Sequence, residues 1–416
     1  MSVKAPLRNA ATFHETPVID VTIVMPCLNE IISLPHCIGN AREALKRIEA
    51  LYGLTGEIAI ADNGSTDGSQ QLAEQLGARV VPVEQRGYGA ALIGGCEAAF
   101  GRFLLMGDAD GSYDFTDGVP MIGQLLEGAD LCMGSRFKGG IAPGAMPWKN
   151  RYIGNPVLTG ILNLFFGSGV SDAHCGLRAI TRDAFRSLRL SGSGMEFASE
   201  MVIKASLKKF RITEVPATLS KDLRDRPPHL RPWRDGWRHL RYLLMLSPTW
   251  AFGVPGMVAS AFGIMILGLA VFEAFVPGTF PAVGNYWVIL AAAMLNAGHL
   301  AGMMAVAAQL YGIQQGYRVA GMKTRMMARV ASLETMLGIG SAFLFGGMLI
   351  LAAVLWQWTV RHFGPVYSIL PAMLGTACIT IGLQTIMGGF LLSILGGNVT
   401  RFLSSESGNY SIASSG

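Results

Sequence analysis

Charge is scarce in this chain. Only 15% of its 416 residues are Asp, Glu, Lys or Arg, against about 25% in ordinary soluble domains. A protein wetted on every side is therefore excluded. What charge there is lies almost wholly before residue 245. Cysteine is sparse and unpatterned. The six (Cys27, Cys37, Cys96, Cys132, Cys175, Cys378) include no C-x-x-C pair and no metal-ligand spacing, and read as reduced thiols in a cytosol. No signal-peptide pattern opens the chain; residues 1 to 17 are polar and are expected to be a disordered tail. Internal repeats and soluble linkers are also missing. The net charge of +5 is mild, and no nucleic-acid partner is expected.

What is abundant is apolar length. Mean hydropathy is +0.39, and from about residue 248 the chain carries four apolar segments, near 248–272, 285–312, 337–358 and 366–395. Each meets the ~20 residues needed to cross ~30 Å of hydrocarbon. The loop after the second holds Arg318, Lys323, Arg325 and Arg329, whereas 273–285 has no Lys or Arg and 359–366 has only Arg361. The positive-inside rule then predicts a multi-pass protein of the cell (inner) membrane, with the large N-terminal domain and both termini in the cytoplasm. In the fourth segment Gly375, Gly382, Gly389 and Gly396 recur every seven residues, a smooth stripe suited to another helix or a second protomer. A homo-oligomer through these helices is one expectation. Asn296 and His299 fall mid-span, as functional groups or as an inter-helix hydrogen bond.

Before 230 the pattern is strand and helix in alternation. "DVTIVMP", 57–61, 78–83, the run into "FLLMGDAD" and 129–137 read as strands; helices are expected near 30–51, from Ser69, and over "GYGAALIGGCEAAF". Such order implies βαβ units and a mostly parallel sheet, with ligands beyond the strands' carboxyl ends. Between the halves, "LRPWRDGWRHLRYLLML" puts Trp233, Trp237, Leu240 and Leu244 on one helical face and Arg234, Arg238 and Arg241 on the next. That is a basic amphipathic helix for a lipid surface, an anchor or also a collector of lipid phosphate. The expected domains are a 1–17 tail, an 18–229 catalytic domain, a 230–246 interface helix, a 247–400 four-helix membrane domain and a 401–416 tail.

Chemistry concentrates at the strand ends. Asp108 and Asp110 sit one residue apart after an apolar strand. Together two such carboxylates can hold Mg²⁺ or Mn²⁺, substrate phosphates completing the shell; alternatively D-A-D-G-S is a turn whose acids cap backbone N–H groups. Asp62 ends another strand and could accept from a base or ribose, while Asp67 reads as a helix cap. Pro26, Asn29 and Glu30 end the first. His174 reads as a turn histidine.

"VTIVMPCLNE", "IADNGSTDGS", "GYGAAL", "LLMGDADGSYD", "GSRF" and "DAHCGLRAI" follow the order and spacing of family 2 glycosyltransferases, and over about 20–245 the chain resembles the polyprenyl-phosphate group, the dolichol-phosphate mannose or glucose synthases. The resemblance implies a GT-A-type nucleotide-sugar fold, a divalent metal (Mg²⁺ or Mn²⁺), and inverting transfer of a sugar from a nucleotide-diphosphate donor to a polyprenyl phosphate, undecaprenyl or dolichyl. It assigns the donor to Pro26, Asn29, Glu30, Asp62, Ser65, Asp108, Asp172 and Arg178, and the metal to Asp108 and Asp110. Arg136 and Arg151 become phosphate-binding catalytic residues, joined at the acceptor by Lys221, Arg224 and Arg226; Glu200 lies on the acceptor side. Two departures stand out: Ser112 replaces a glutamine common after the acids, and Asn155 a common serine. The competing readings are a membrane polysaccharide synthase of the same superfamily, whose Q-x-x-R-W motif is not visible, and a non-catalytic scaffold with a vestigial fold.

Overall fold

A computed structural model describes residues 19–224, 232–280, 284–320, 332–364 and 368–406. The tail expected at 1–17 lies outside them. The chain divides into two compact units, Met1–Ser206 with Phe210–His239, and Leu207–Lys209 with Leu240–Gly416.

In the first unit, β1 (Val21–Cys27), β2 (Gly56–Asp62), β3 (Arg79–Pro82), β4 (Phe103–Met106), β5 (Leu131–Ser135), β6 (Arg178–Thr181) and β7 (Ile212–Pro216) form one sheet in the order β3-β2-β1-β4-β6-β5-β7. Val21, Ile23 and Val24 of β1 are fully buried, as suits a β-branched run in a central strand. α1 (Leu34–Tyr52) buries Leu34, Cys37, Ile38, Ala41, Ala44 and Ile48, the helical period of one apolar face, and stops where Gly53 turns left-handed at φ 67°. α2 (Ser69–Gln75), α3 (Tyr88–Glu97) and α4 (Val119–Leu126) follow in alternation, then α5 (Arg136–Gly139), α6 (Asn155–Phe166), α7 (Arg182–Leu188) and α8 (Phe197–Leu207). The fold is the expected GT-A type, mostly parallel.

Two strands were not expected. β6 is a four-residue strand opening on a buried arginine, too short for a period to show, and β7 (ITEVP) mixes polar residues at the sheet's end. β6 also runs antiparallel to β4 and β5. Its amino end therefore shares an edge with the carboxyl ends of the others: Arg178 stands opposite both Met106 and Met133. That reversal carries Asp172–Arg178 to the edge where the acids lie.

In the second unit, four helices are long and apolar enough to cross a membrane: Thr249–Phe275, Asn285–Gln314, Leu333–Val360 and Leu370–Leu395. The glycine stripe faces the third span within the chain. A Cβ at Gly382 would come 2.7 Å from the Gly340 carbonyl, and one at Gly347 2.6 Å from that of Gly375. Gly375 and Gly382 of the stripe, with Gly389 against Met336, are thus covered by the third span within the chain. Gly396 lies outside the described side chains. The helix of the fourth span runs on to Glu406, into the stretch expected as a tail. Asn296 accepts from Thr380 and His299 Nε2 stands 3.0 Å from Thr385 Oγ1, so both mid-span polar residues bond the fourth span.

α9 (Pro232–Met245) also differs in facing. Trp237 is 62% exposed, whereas His239 and Leu243 are 7% and 1% exposed. The water- or lipid-facing stripe is Trp237, Arg241 and Met245 rather than the Arg face alone. Trp233 and Arg234 side chains lie outside the described ones.

Candidate active site

Three loops beyond the strand ends are knitted together before any ligand is considered. Asn29 adopts the left-handed region (φ 59°), its N–H donating to Ser65 Oγ at 2.8 Å and its Oδ1 accepting from Thr66 N–H at 2.8 Å. The Glu30 N–H donates to Ser69 Oγ at 3.0 Å. Asp62, buried, accepts from Gly64 N–H at 3.0 Å, Ser65 N–H at 3.1 Å and Gln70 Nε2 at 2.5 Å. Its carboxylate thus shapes the loop that carries Ser65. Asp67, one residue before the Gly68 cap of α2, accepts from Ser69 N–H at 3.0 Å. Pro26 lies within β1, opposite Ala61.

The Asp108–Asp110 turn sits at the centre. Ser33 Oγ donates to the Ala109 carbonyl at 2.6 Å, tying the turn to α1. Asp110 Oδ1 accepts from the Ser112 N–H at 3.0 Å and hydroxyl at 2.6 Å, so one oxygen does cap the turn. Its other oxygen faces Arg224 Nη1 at 3.4 Å. Arg224 also pairs with buried Glu30 at 2.8 Å. Asp108 is different. Its Oδ1 is buried with no hydrogen-bond partner, and burial, then the Asp110 charge, push its carboxyl up to about 6. The Tyr88 hydroxyl stands against it.

These residues fit a divalent cation. The donors are hard carboxylate oxygens, one is unpartnered, and a cation beside them would relieve the like-charge repulsion. Among the described residues no third His, Cys, Asp or Glu joins them, so substrate oxygens and water would complete the shell.

The arginines divide. Arg136 is buried in a two-pronged pair with Asp172, Nε to Oδ2 and Nη2 to Oδ1 both at 2.7 Å. Asp172 therefore orients Arg136. Arg178 is buried and donates to the Cys175 carbonyl at 2.5 Å and the Ala198 carbonyl at 3.2 Å. Arg151 is half-buried beside the Tyr152 ring, 5.5 Å from its centroid; no hydrogen bond or ion pair ties it to the acids among the described residues. Lys221 is exposed. Arg224 lies at the acids, paired with Glu30 and Asp110, and Arg226 falls outside the described residues. Glu200 is fully buried, paired with Lys204 at 2.7 Å and accepting from Gly192 N–H at 2.7 Å, so it shapes the loop before α8 (Phe197–Leu207).

Tyr88 was not foreseen as a site residue, although "GYGAAL" contains it. It is held where loop 191–196 crosses the start of α3: a Cβ on Gly89 would overlap the Gly192 carbonyl and stand 2.7 Å from Phe197 Cβ. Also unforeseen was α6 (Asn155–Phe166), in which only Thr159 and Leu162 are buried. With the preceding turn it exposes Trp148, Tyr152, Ile153, Val157 and Leu164. The signal was present in "NRYIGNPVLTGILNLFF", which has no charge after Arg151.

A GT-A sheet with paired acids at its edge, in a chain that also holds four candidate membrane spans, defines a membrane glycosyltransferase. The comparisons agree: residues 22–189 match Glycosyl transferase family 2, and 306–396 match the Glycosyltransferase family 2 C-terminal transmembrane region. The low-salt glycan biosynthesis hexosyltransferase Agl6 of Haloferax volcanii is 35% identical over 380 residues, 90% of this chain and 89% of that protein. The chain belongs to glycosyltransferase family 2. The polyprenol monophosphomannose synthase of Mycolicibacterium smegmatis is 27% identical over 213 residues, 48% of this chain and 77% of its own. Among solved structures, glucosyl-3-phosphoglycerate synthase from Mycobacterium tuberculosis, in complex with Mn²⁺, UDP and glucosyl-3-phosphoglycerate, is 22% identical, with a TM-score of 0.40 over 55% of this chain and 78% of that one.

Proposed function

We infer that this enzyme moves a hexose, with inversion, from a nucleotide-diphosphate sugar to a polyprenyl phosphate at the cytoplasmic membrane face. One observation carries the reading: a buried acid pair with an unpartnered oxygen, flanked by an arginine, in a chain that also holds four candidate spans. The relatives named as a hexosyltransferase and as a polyprenol monophosphomannose synthase support it.

Asp108 and Asp110 would hold the divalent ion, which when bound stabilises charge on the departing diphosphate. The acceptor is a phosphate monoester whose second pKa is ~6, so at neutral pH it is largely dianionic and nucleophilic without a protein base. A phosphate oxygen bonds to the sugar's anomeric carbon as the bond to the diphosphate oxygen breaks; a single displacement inverts that carbon. The obstacle is repulsion between two anions. Arg224, Arg151 and Lys221 can offset it, and a guanidinium binds phosphate through two N–H groups. Arg136, fixed by Asp172, adds an oriented positive charge without a change of conformation. The exposed apolar faces of α6 and of α9 suit an acceptor that arrives in a bilayer.

The test uses the full chain in nanodiscs with Mg²⁺, undecaprenyl phosphate and a panel of labelled UDP-, GDP- and TDP-sugars. Label entering the lipid with one donor supports the reading; no lipid label with any donor, from protein that binds nucleotide, overturns it.

A further inference from the structure

A second polar cluster lies away from the acids and has no part in the chemistry above. Ser199, fully buried on α8, has its Oγ 2.8 Å from His239 Nδ1 on α9 and 3.2 Å from His174 Nε2 in the segment that precedes β6. The two imidazoles meet edge to face with centroids 4.9 Å apart. His174 Nδ1 is buried with no hydrogen-bond partner.

The hydrogens in this relay can be assigned. A serine hydroxyl has one proton, so Oγ donates to one ring and accepts from the other. An unsatisfied buried N–H is rarer than an unsatisfied buried acceptor, which favours a bare lone pair at the unpartnered Nδ1. His174 therefore carries its proton on Nε2 and donates it to Ser199; Ser199 donates to His239 Nδ1. The relay has a direction, from the site edge to α9. His174 is two residues from Asp172, which grips Arg136, and four from Arg178.

We propose that His174, Ser199 and His239 form a pin that seats α9 against the site edge, making His239 a positioning residue for the lipid-bound acceptor. α9 shows the opposite stripe, Trp237, Arg241 and Met245, outward. An aromatic, a cation and a thioether suit a lipid surface. The pin sets the rotation of α9 about its axis: release it, and the helix can turn, carrying the outward stripe with it. Neither Ser199 bond reaches Asp108, Asp110 or the loops of Asn29 and Ser65, so donor use should be spared. This rests on the proposed acceptor.

The experiment compares wild-type protein in nanodiscs with His239→Leu, Ser199→Ala and His239→Asn, the last keeping a polar atom near the Nδ1 position. Steady-state kinetics against undecaprenyl phosphate and nucleotide sugar are read beside amide hydrogen exchange. Losing a buried bond and orphaning its partner corresponds to about 10-fold, and Ser199→Ala removes two such bonds. His239→Leu and Ser199→Ala should raise KM for the lipid at least that much, leave KM for the donor unchanged, and speed exchange in α9 while sparing β1 and β4. His239→Asn should restore most of both. Unchanged lipid KM and unchanged α9 exchange overturn the pin, as do parallel losses for both substrates with faster exchange throughout the sheet. Should the wild-type protein transfer nothing to lipid phosphate, the acceptor reading falls, and the exchange arm alone decides whether the pin exists.

Discussion

Asp108→Asn should make the protein more stable while destroying its activity. The carboxyl of Asp108 is raised from an ordinary 3.8 to about 6, first by burial and then by the Asp110 charge. An acid whose folded pKa lies above its unfolded value binds its proton more tightly in the fold. The fold thus loses stability as pH rises from about 4 to about 6, and the full cost stands above that window. A rise of about two units corresponds to about 3 kcal/mol, at ~1.4 kcal/mol per unit. Asparagine removes the charge with little change in volume, so most of that cost should be recovered at pH 7.5, as several degrees of melting temperature. The assay is thermal unfolding of the full chain in detergent with a chelator present, from pH 4 to 8. The variant's advantage should be largest at pH 7 to 8 and shrink towards pH 4. Mg²⁺ with nucleotide sugar should stabilise the wild type and narrow the gap. A variant that melts lower than wild type at pH 7.5, or a gap that ignores pH, would refute the account of Asp108 as a buried and poorly compensated acid.

Other outcomes follow from the same geometry. Asp110→Ala should reduce turnover well over ~10-fold, measured as label transferred to lipid by purified enzyme; near-normal turnover would remove Asp110 from the metal site. Asp172→Asn breaks a buried pair that holds Arg136 through two 2.7 Å bonds; a loss of about 3 kcal/mol in stability is expected, seen as a lower melting temperature alongside slower transfer. Gly382→Leu would drive a side chain into the Gly340 carbonyl and Leu344 backbone, and should destabilise the membrane unit enough to lower its yield of monodisperse protein, whereas Gly268→Leu, where nothing lies within 4 Å, should not.

Long apolar periods were legible in the sequence, and short or borrowed structure was not. β1 declares itself because burial on both faces leaves a continuous apolar run, and the four spans because a lipid-facing helix must be apolar over about 20 residues. β6 does not, because four residues beginning with arginine carry no period, and its reversed direction is decided by pairing with β4 and β5. The acids at 108 and 110 were visible as residues, but which of them would be left without a partner depended on Ser112 turning to Asp110 and on Arg224 returning 114 positions later to the same oxygen pair. The resemblance assigned Asp172 to the donor, and the fold shows in addition that it grips Arg136; sequence order cannot reveal that residues 36 positions apart share a bond. The stripe at Gly375, Gly382 and Gly389 announced close packing but not its partner, since a smooth helix face fits a neighbour in the same chain as well as one from another.

The treatment of buried charge separates scaffold from site. Buried Glu200 holds Lys204 at 2.7 Å and buried Asp172 holds Arg136 at 2.7 Å; in both cases the acid is bonded to a cation, as suits a buried charge. The fold is therefore able to satisfy an acid wherever a cation can reach it. At Asp108 it does not: Arg178 is close enough to act on the carboxylate electrostatically, yet both of its described N–H donors go to carbonyls, at Cys175 and Ala198. A guanidinium turned away from an unpartnered carboxylate oxygen is an expensive arrangement for stability alone. It becomes sensible if that oxygen is kept open for a cation that arrives with the donor, and the stabilisation expected of Asp108→Asn measures how much stability the protein forgoes to keep it so.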